Sequence, residues 1–321
     1  MAADDYSIVS HADGGVTDDA LSALALTCFG GYGLVAPPTP AFMEWYRMRP
    51  GMDAQYCLAA IAQAGEIASS LFVTDADLQV SGTGARAAVI DTVMTAPQHR
   101  KRGLASRLIT TAADRARERG RDLMVLFTGA DSGPERLYSG LGFRRVARIA
   151  VAIGSPGAAP AREGVTWRRL AEGDRVLLGG YHSTASGFRP YTPGHCSWLL
   201  RSPASYSIGV IGDPTALVGQ AALVAGTVVR IEGEEREAGL VVDLLGTLDT
   251  DSVARLMGSL PVPNVVVCYD AMDTAMAAAC SLAGLSVQGY DVAMALPLAD
   301  RWGPSADFGT WYPLTESIIG F

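Results

Sequence analysis

The chain has 321 residues and a formal net charge of −8, with 18% charged and 49% hydrophobic residues and a mean hydropathy of +0.21. That length is comfortable for two domains of roughly 100 to 200 residues each, and the acidic balance argues against a broad nucleic-acid surface. Charge or glycine breaks the apolar runs well short of the ~20 residues that cross a bilayer, and Met1 to Asp5 lacks the basic start of a signal peptide, so a cytoplasmic protein without a membrane partner is expected.

The opening segment reads as a short strand, Tyr6 to Ser10, followed by a helix that Thr17 can cap with Asp18 and Asp19 in its first turn. Cys28 to Gly33 ends it in glycines. A second helix starts at Thr39-Pro40, a capping residue followed by proline at the first helical position, and carries Phe42, Met43, Trp45 and Tyr46. Three strands follow: Tyr56 to Ala62, Ile67 to Thr74, and Ala87 to Thr95 after a loop through Ser81-Gly82-Thr83-Gly84.

Val93 to Leu108 runs from a strand into a basic, glycine-containing turn and directly into an amphipathic helix. Such a start points several unpaired backbone N–H groups at one place, where the helix dipole favours an anion. Gly103 lets a ligand approach the backbone, and Arg100, Lys101 and Arg102 form the densest cationic cluster; Lys101 is the only lysine present. No G-x-x-x-x-G-K-[ST] and no G-x-G-x-x-G after a strand occurs. Leu104, Leu108, Ile109, Ala112 and Ala116 recur at helical spacing, Gly120 closes the helix, and Leu123 to Phe127 is an unalternating, buried strand.

The segment Arg100 to Ala105, R-x-x-G-x-A after a strand ending in Thr-x-Pro, resembles the pyrophosphate motif of the GNAT superfamily of acyl-CoA N-acyltransferases. The order β, α, α, β, β, β, α, β, α, β over residues 6 to 152 is similar to that family's fold, as is the sequence Tyr138-Ser139-Gly140-Leu141-Gly142-Phe143. The resemblance implies that Val93, Met94 and Thr95 offer backbone groups to the pantetheine of acetyl-CoA, and that Arg100, Lys101, Arg102, Gly103, Leu104, Ala105 and Ser106 hold its pyrophosphate. It further implies Tyr138 as general acid to the leaving thiolate, which a phenol near the sulfur is suited to be. Asp91 lies two positions from Val93 on one strand and so shares its face; it is a candidate base and equally a candidate ion-pair partner. In the resembled family the first two helices and their loop form the acceptor pocket, which makes Tyr32, Trp45 and Tyr46 candidates for binding a small amine.

A stretch rich in glycine, alanine and proline, Gly154 to Gly164, reads as a linker, after which the chain echoes itself. Val241-Val242-Asp243 mirrors Val89-Ile90-Asp91, Val265 to Tyr269 mirrors Leu123 to Phe127, Ala283-Gly284-Leu285 mirrors Leu141-Gly142-Phe143, and Cys280 stands where Tyr138 does. The expected fold class is therefore α/β with a mixed sheet, as tandem GNAT folds. A catalytic copy spans 1–153, a linker 154–164, a degenerate copy 165–302 and a tail 303–321. The second copy has Leu248-Asp249-Thr250-Asp251-Ser252 in place of the basic turn, and its carboxylates would repel a pyrophosphate.

This layout is similar to mycothiol-synthase-like and enhanced-intracellular-survival acetyltransferases. The latter place the chain's terminal carboxylate in the active site, which implies the Phe321 carboxylate as base or acceptor anchor here. Five scattered cysteines, Cys28, Cys57, Cys196, Cys268 and Cys280, suit buried thiols, and no metal is expected. The expected activity is transfer of an acetyl or short acyl group from acyl-CoA to a small amine. The alternatives are the same fold using a charged tRNA as donor, or a non-catalytic protein that binds CoA or another small molecule.

Overall fold

The computed structural model describes residues 5–13, 15–30, 34–35, 38–156, 164–180, 185–203, 206–212, 220–231, 234–246, 249–303 and 306–312. The first half comprises β1 (Tyr6–Ser10), α1 (Asp18–Phe29), β2 (Leu34–Val35), α2 (Pro40–Arg47), β3 (Leu58–Ala62), β4 (Ile67–Val80), β5 (Thr83–Thr95), α3 (Leu104–Glu118), β6 (Leu123–Gly129), α4 (Gly133–Gly140) and β7 (Arg144–Gly154). The second comprises β8 (Val165–Arg169), α5 (Arg175–Gly180), α6 (Pro193–Leu200), β9 (Tyr206–Ile211), β10 (Gln220–Ile231), β11 (Glu234–Leu245), α7 (Thr250–Gly258), β12 (Val265–Asp270), α8 (Thr274–Leu282) and β13 (Ser286–Pro297).

The start signals in the sequence are met. Thr17 and Thr39 accept hydrogen bonds from Ala20 and Phe42, and Gly120 takes the left-handed conformation (φ 67°) that ends α3. The β4–β5 hairpin is longer than the pattern indicates, with Ser81 (φ 46°) and Gly82 (φ 76°) forming its two-residue turn. β4 runs on past the expected end at Thr74, and Arg119 and Arg121 each meet Asp75 there at 2.7 Å.

All the strands belong to one mixed sheet, in the order β1-β3-β4-β5-β6-β13-β7-β12-β11-β10-β9-β8, with β2 pairing off this path to β10. In each half two antiparallel hairpin strands lead to a parallel neighbour, β5 beside β6 and β11 beside β12. The last strand of each half is then inserted beside the other half. β13 lies antiparallel between β6 and β7, and β7 lies antiparallel between β13 and β12.

Three further contacts lock the halves. Trp45 on α2 stacks on Trp198 on α6, with centroids 4.1 Å apart and planes 3° from parallel. Each indole N–H donates to the other residue's carbonyl at 2.8 Å. The chain after α1 pairs Val35 with Val228 on β10, while Phe188 and Gly187 exchange backbone hydrogen bonds with Gln79 on β4. One apolar cluster accordingly draws from both halves, from Phe42, Trp45 and Phe72 to Trp198, Leu223 and Val242.

Candidate functional site

Parallel pairing of β5 with β6 runs only from Ala87/Leu123 to Val89/Val125; beyond it both strands continue, to Thr95 and Gly129, without pairing to each other. The gap is shaped by a bulge. Between the pairs Ser70/Met94 and Phe72/Asp91, Leu71 faces two residues of β5, and Thr92 adopts φ 48°. A bulge leaves its extra residue out of the hydrogen-bond ladder and bends the strand, here at Thr92 and Val93. The carbonyls of Met94 and Thr95 accept from Ser69 Oγ at 2.6 Å and Arg100 Nε at 3.1 Å.

The bulge also reverses a face. Asp91 and Met94 point to the side of Phe72, whereas Val93 packs with Leu71 and Leu104 on the other. The expectation that Asp91 shares a face with Val93 therefore fails, since simple alternation assumes an unbulged strand. Asp91 is held by three side chains. Tyr46 Oη donates to it at 2.9 Å, Thr92 Oγ1 at 2.8 Å, and the guanidinium of Arg49 forms an ion pair with it. Arg49, 1% exposed, also reaches Thr74 Oγ1 at 2.6 Å and lies 4.0 Å over the Tyr46 ring. Burial pushes the Asp91 carboxyl upward from its ordinary value, opposed by Arg49 and by the hydrogen bonds from Thr92 and Tyr46. Burial likewise raises the Tyr46 phenol well above its ordinary value.

At the far end of β5 the chain forms a short turn of 3-10 helix, Pro97–His99, and then places Lys101 (φ 62°) and Gly103 (φ 74°) in the left-handed region before α3. Six other helices, α1, α2, α4, α6, α7 and α8, are each capped by a threonine, serine or aspartate side chain. α3 begins at Gly103 with no side-chain cap. Its first-turn amides, at Leu104, Ala105 and Ser106, have no acceptor within the helix. Arg102 braces the turn, donating to Tyr6 Oη at 2.6 Å and to the Gln98 carbonyl at 3.0 Å. Beneath it, buried His99 hydrogen-bonds Tyr6 at 2.9 Å and Glu66 at 2.6 Å. Arg100 and Lys101 are exposed.

Tyr138, on α4, is buried in the cluster that contains Leu104 and Leu108 of α3, with Phe143 edge-on at 5.8 Å. The basic turn before α3, the splayed end of β5 and Tyr138 thus adjoin one apolar cluster, through Leu104, Val93 and the Tyr138 ring. The acceptor-side residues do not gather there as expected. Trp45 is committed to Trp198, and Tyr46 is fully buried with its hydroxyl on Asp91, because α2 packs into the junction between the halves. Tyr32 and Phe321 lie outside the described residues. The sequence reading missed Arg49 entirely; a buried arginine leaves no periodic signal, and only its pairing with Asp91 reveals it.

The second half repeats the splay without the anion turn. β11 and β12 pair from Gly239/Val265 to Val241/Val267 and then part, and a bulge falls between Leu223/Asp243 and Val224/Val241. The amides of α7, however, meet Asp249, whose carboxylate accepts from Ser252 N–H at 2.7 Å. That hydrogen bond holds the Asp249 carboxyl below its ordinary value. The echo of the Tyr138 turn is literal, since Phe143 N–H donates to the Tyr138 carbonyl and Leu285 N–H to that of Cys280.

Comparison with known proteins adds three observations. Residues 22–146 match the sequence profile of the family described as acetyltransferase (GNAT) domain. No curated protein matches the chain by sequence. Among solved structures, Saccharomyces cerevisiae N-myristoyltransferase with bound myristoyl-CoA superposes with a TM-score of 0.71 at 11% identity, over 91% of this chain and 82% of that one. A GCN5-related N-acetyltransferase from Anabaena variabilis gives 0.61 at 16% identity, over 92% and 73%. One from Kribbella flavida gives 0.54 at 18% identity, over 92% and 72%. These likenesses concern the fold.

Proposed function

We propose, from the match of residues 22–146 to the GNAT acetyltransferase family, that this chain is an N-acyltransferase of two tandem copies of the fold, moving an acetyl or short acyl group from acyl-CoA to a small amine. The observation that carries the proposal is the uncapped start of α3, set against six capped helices. Leu104, Ala105 and Ser106 N–H groups, with Lys101 and Arg100 alongside, are matched to a pyrophosphate. In the second half Asp249 occupies the corresponding place, so the donor is assigned to the first half alone.

The pantetheine then runs along Val93 to Thr95, where the bulge frees backbone to polarise the acyl carbonyl. Attack by the amine forms a new C–N bond, and collapse of the tetrahedral adduct breaks the C–S bond. Tyr138 is assigned as the acid that protonates the departing thiolate. Asp91, saturated by Arg49, Tyr46 and Thr92, is assigned to holding the bulge and α2 in place rather than to taking a proton.

Titration calorimetry with acetyl-CoA tests the donor site. A Gly103→Asp variant adds a carboxylate at the start of α3 and is expected to weaken binding by at least about tenfold, a single charge contact's worth. Unchanged affinity in the variant would remove the turn from the donor site. Absence of binding by the wild type would move the proposal to another acyl carrier.

A further inference from the structure

The cleft of the second half holds a partly open cavity of about 80 Å³ between the parted ends of β11 and β12. Its walls include three carboxylates, Asp243, Asp270 and Asp273, and three aromatic side chains, Tyr269, Trp311 and Tyr312, with no lysine or arginine. Asp270 is engaged by the N–H groups of Trp311 at 2.7 Å and Met272 at 3.0 Å, and Asp273 caps α8 through Met276 N–H. Asp243 is different. It is 2% exposed, receives Leu244 N–H at 2.8 Å with the Tyr191 hydroxyl beside it, and has no cationic partner among the described residues.

The other half shows what is missing. Asp91 stands at the corresponding bulge with Arg49 as counter-ion and Tyr46 as donor. Trp45 and Trp198 correspond across 153 residues, and the same step carries Tyr46 to Leu199 and Arg49 to Ser202. The second half thus keeps the buried acid, has neither the arginine nor the α2-type tyrosine at the matching positions, and has a cavity with aromatic walls beside it. A buried carboxylate is costly unless a cation accompanies it.

We propose that the second-half cleft is a binding site for a small organic cation, an alkylammonium whose charge sits on Asp243 and whose carbon skeleton lies against Tyr269, Trp311 and Tyr312. Aromatic faces attract such a cation once water is excluded. A metal ion fits poorly, because among the described residues no three histidine, cysteine or acidic side chains converge as a ligand set.

The test uses the full-length protein and compares n-propylammonium with n-propanol, a neutral probe of the same length, by titration calorimetry and by the intrinsic tryptophan fluorescence, to which Trp311 contributes. Saturable binding of n-propylammonium, weakened about tenfold or more in n-propanol and in an Asp243→Asn variant, is expected, as for any contact that depends on a desolvated charge. A Met276→Trp variant, which fills the cavity from α8, should block binding while leaving Asp243 intact; it serves as the test if Asp243→Asn fails to fold. Both variants lie outside the first-half cleft, so they separate this site from one where an amine acceptor would bind. Equal affinity for the two probes, affinity retained in Asp243→Asn or Met276→Trp, or no saturable binding would overturn the proposal. Acetyl-CoA titrated into the same samples reads the donor site separately, and the proposal stands or falls independently of that result.

Discussion

Asp91 and Asp243 are the same acid in two settings, and the difference has a measurable pH signature. Burial pushes the Asp243 carboxyl from 3.8 up to about 7, with the Tyr191 hydroxyl and Leu244 N–H pulling it back only in part. A carboxyl raised in the folded state makes the folded protein hold a proton that the unfolded chain releases, so stability falls as pH rises from about 4 to about 7 and stays lower above it. At about 1.4 kcal/mol per unit, the cost at pH 8 is on the order of 4 kcal/mol. Asp243→Asn should therefore unfold at higher denaturant than the wild type at pH 8, by about 2–4 kcal/mol, with the advantage shrinking towards pH 4. A variant no more stable at pH 8 than at pH 4, relative to wild type, would show that Asp243 is satisfied in some other way. Nothing in Val241-Val242-Asp243 distinguishes this environment from that of Val89-Ile90-Asp91. The distinction lies at Arg49 and Ser202, far away in sequence, which is why both acids were visible as residues and neither as a chemical state.

At the scale of elements, the local signals were legible and the long-range ones were not. Thr17, Thr39 and Gly103 mark helix starts through chemistry that acts within a few residues, and the structure realises each of them. The bulge at Thr92 carries no glycine or asparagine to announce its left-handed backbone, so alternation along β5 put Asp91 on the wrong face. Trp45 and Tyr46 became acceptor candidates through the family resemblance alone, since aromatics on a short helix look alike whether they line a pocket or a junction. Their true surroundings come from α6, whose Trp198 reaches across. Trp198→Ala removes a stacked, 1% exposed ring and leaves the Trp45 indole N–H facing a displaced carbonyl. A loss of about 3–5 kcal/mol is expected, comparable to other buried aromatic truncations. Chemical denaturation with far- and near-ultraviolet dichroism measures it; a loss below 1 kcal/mol would mean that the junction repacks.

For the whole molecule, the sheet order is the property that no local pattern could disclose. β6 and β12 are short and mostly apolar, and hydrophobic strands of this kind specify burial on both faces rather than a partner. Their arrangement leaves neither half complete without the other. Residues 1–156 alone would lack β13 along the edge of β6, and Trp302, Phe308 and Trp311 over the cluster of Ala87, Val89 and Val125. That fragment should run as an associated or aggregated species on size exclusion, since an uncovered strand edge and an open apolar face both recruit partners. A stable monomer with native dichroism would mean that β7 can close onto β6 directly. Synthesis proceeds from the N-terminus, so the edge of β6 has left the ribosome long before Ser286–Pro297 exists to cover it. The nascent chain must carry its first half unfinished until β13 is made, and chains truncated before it are predicted to be substrates for chaperones or proteases.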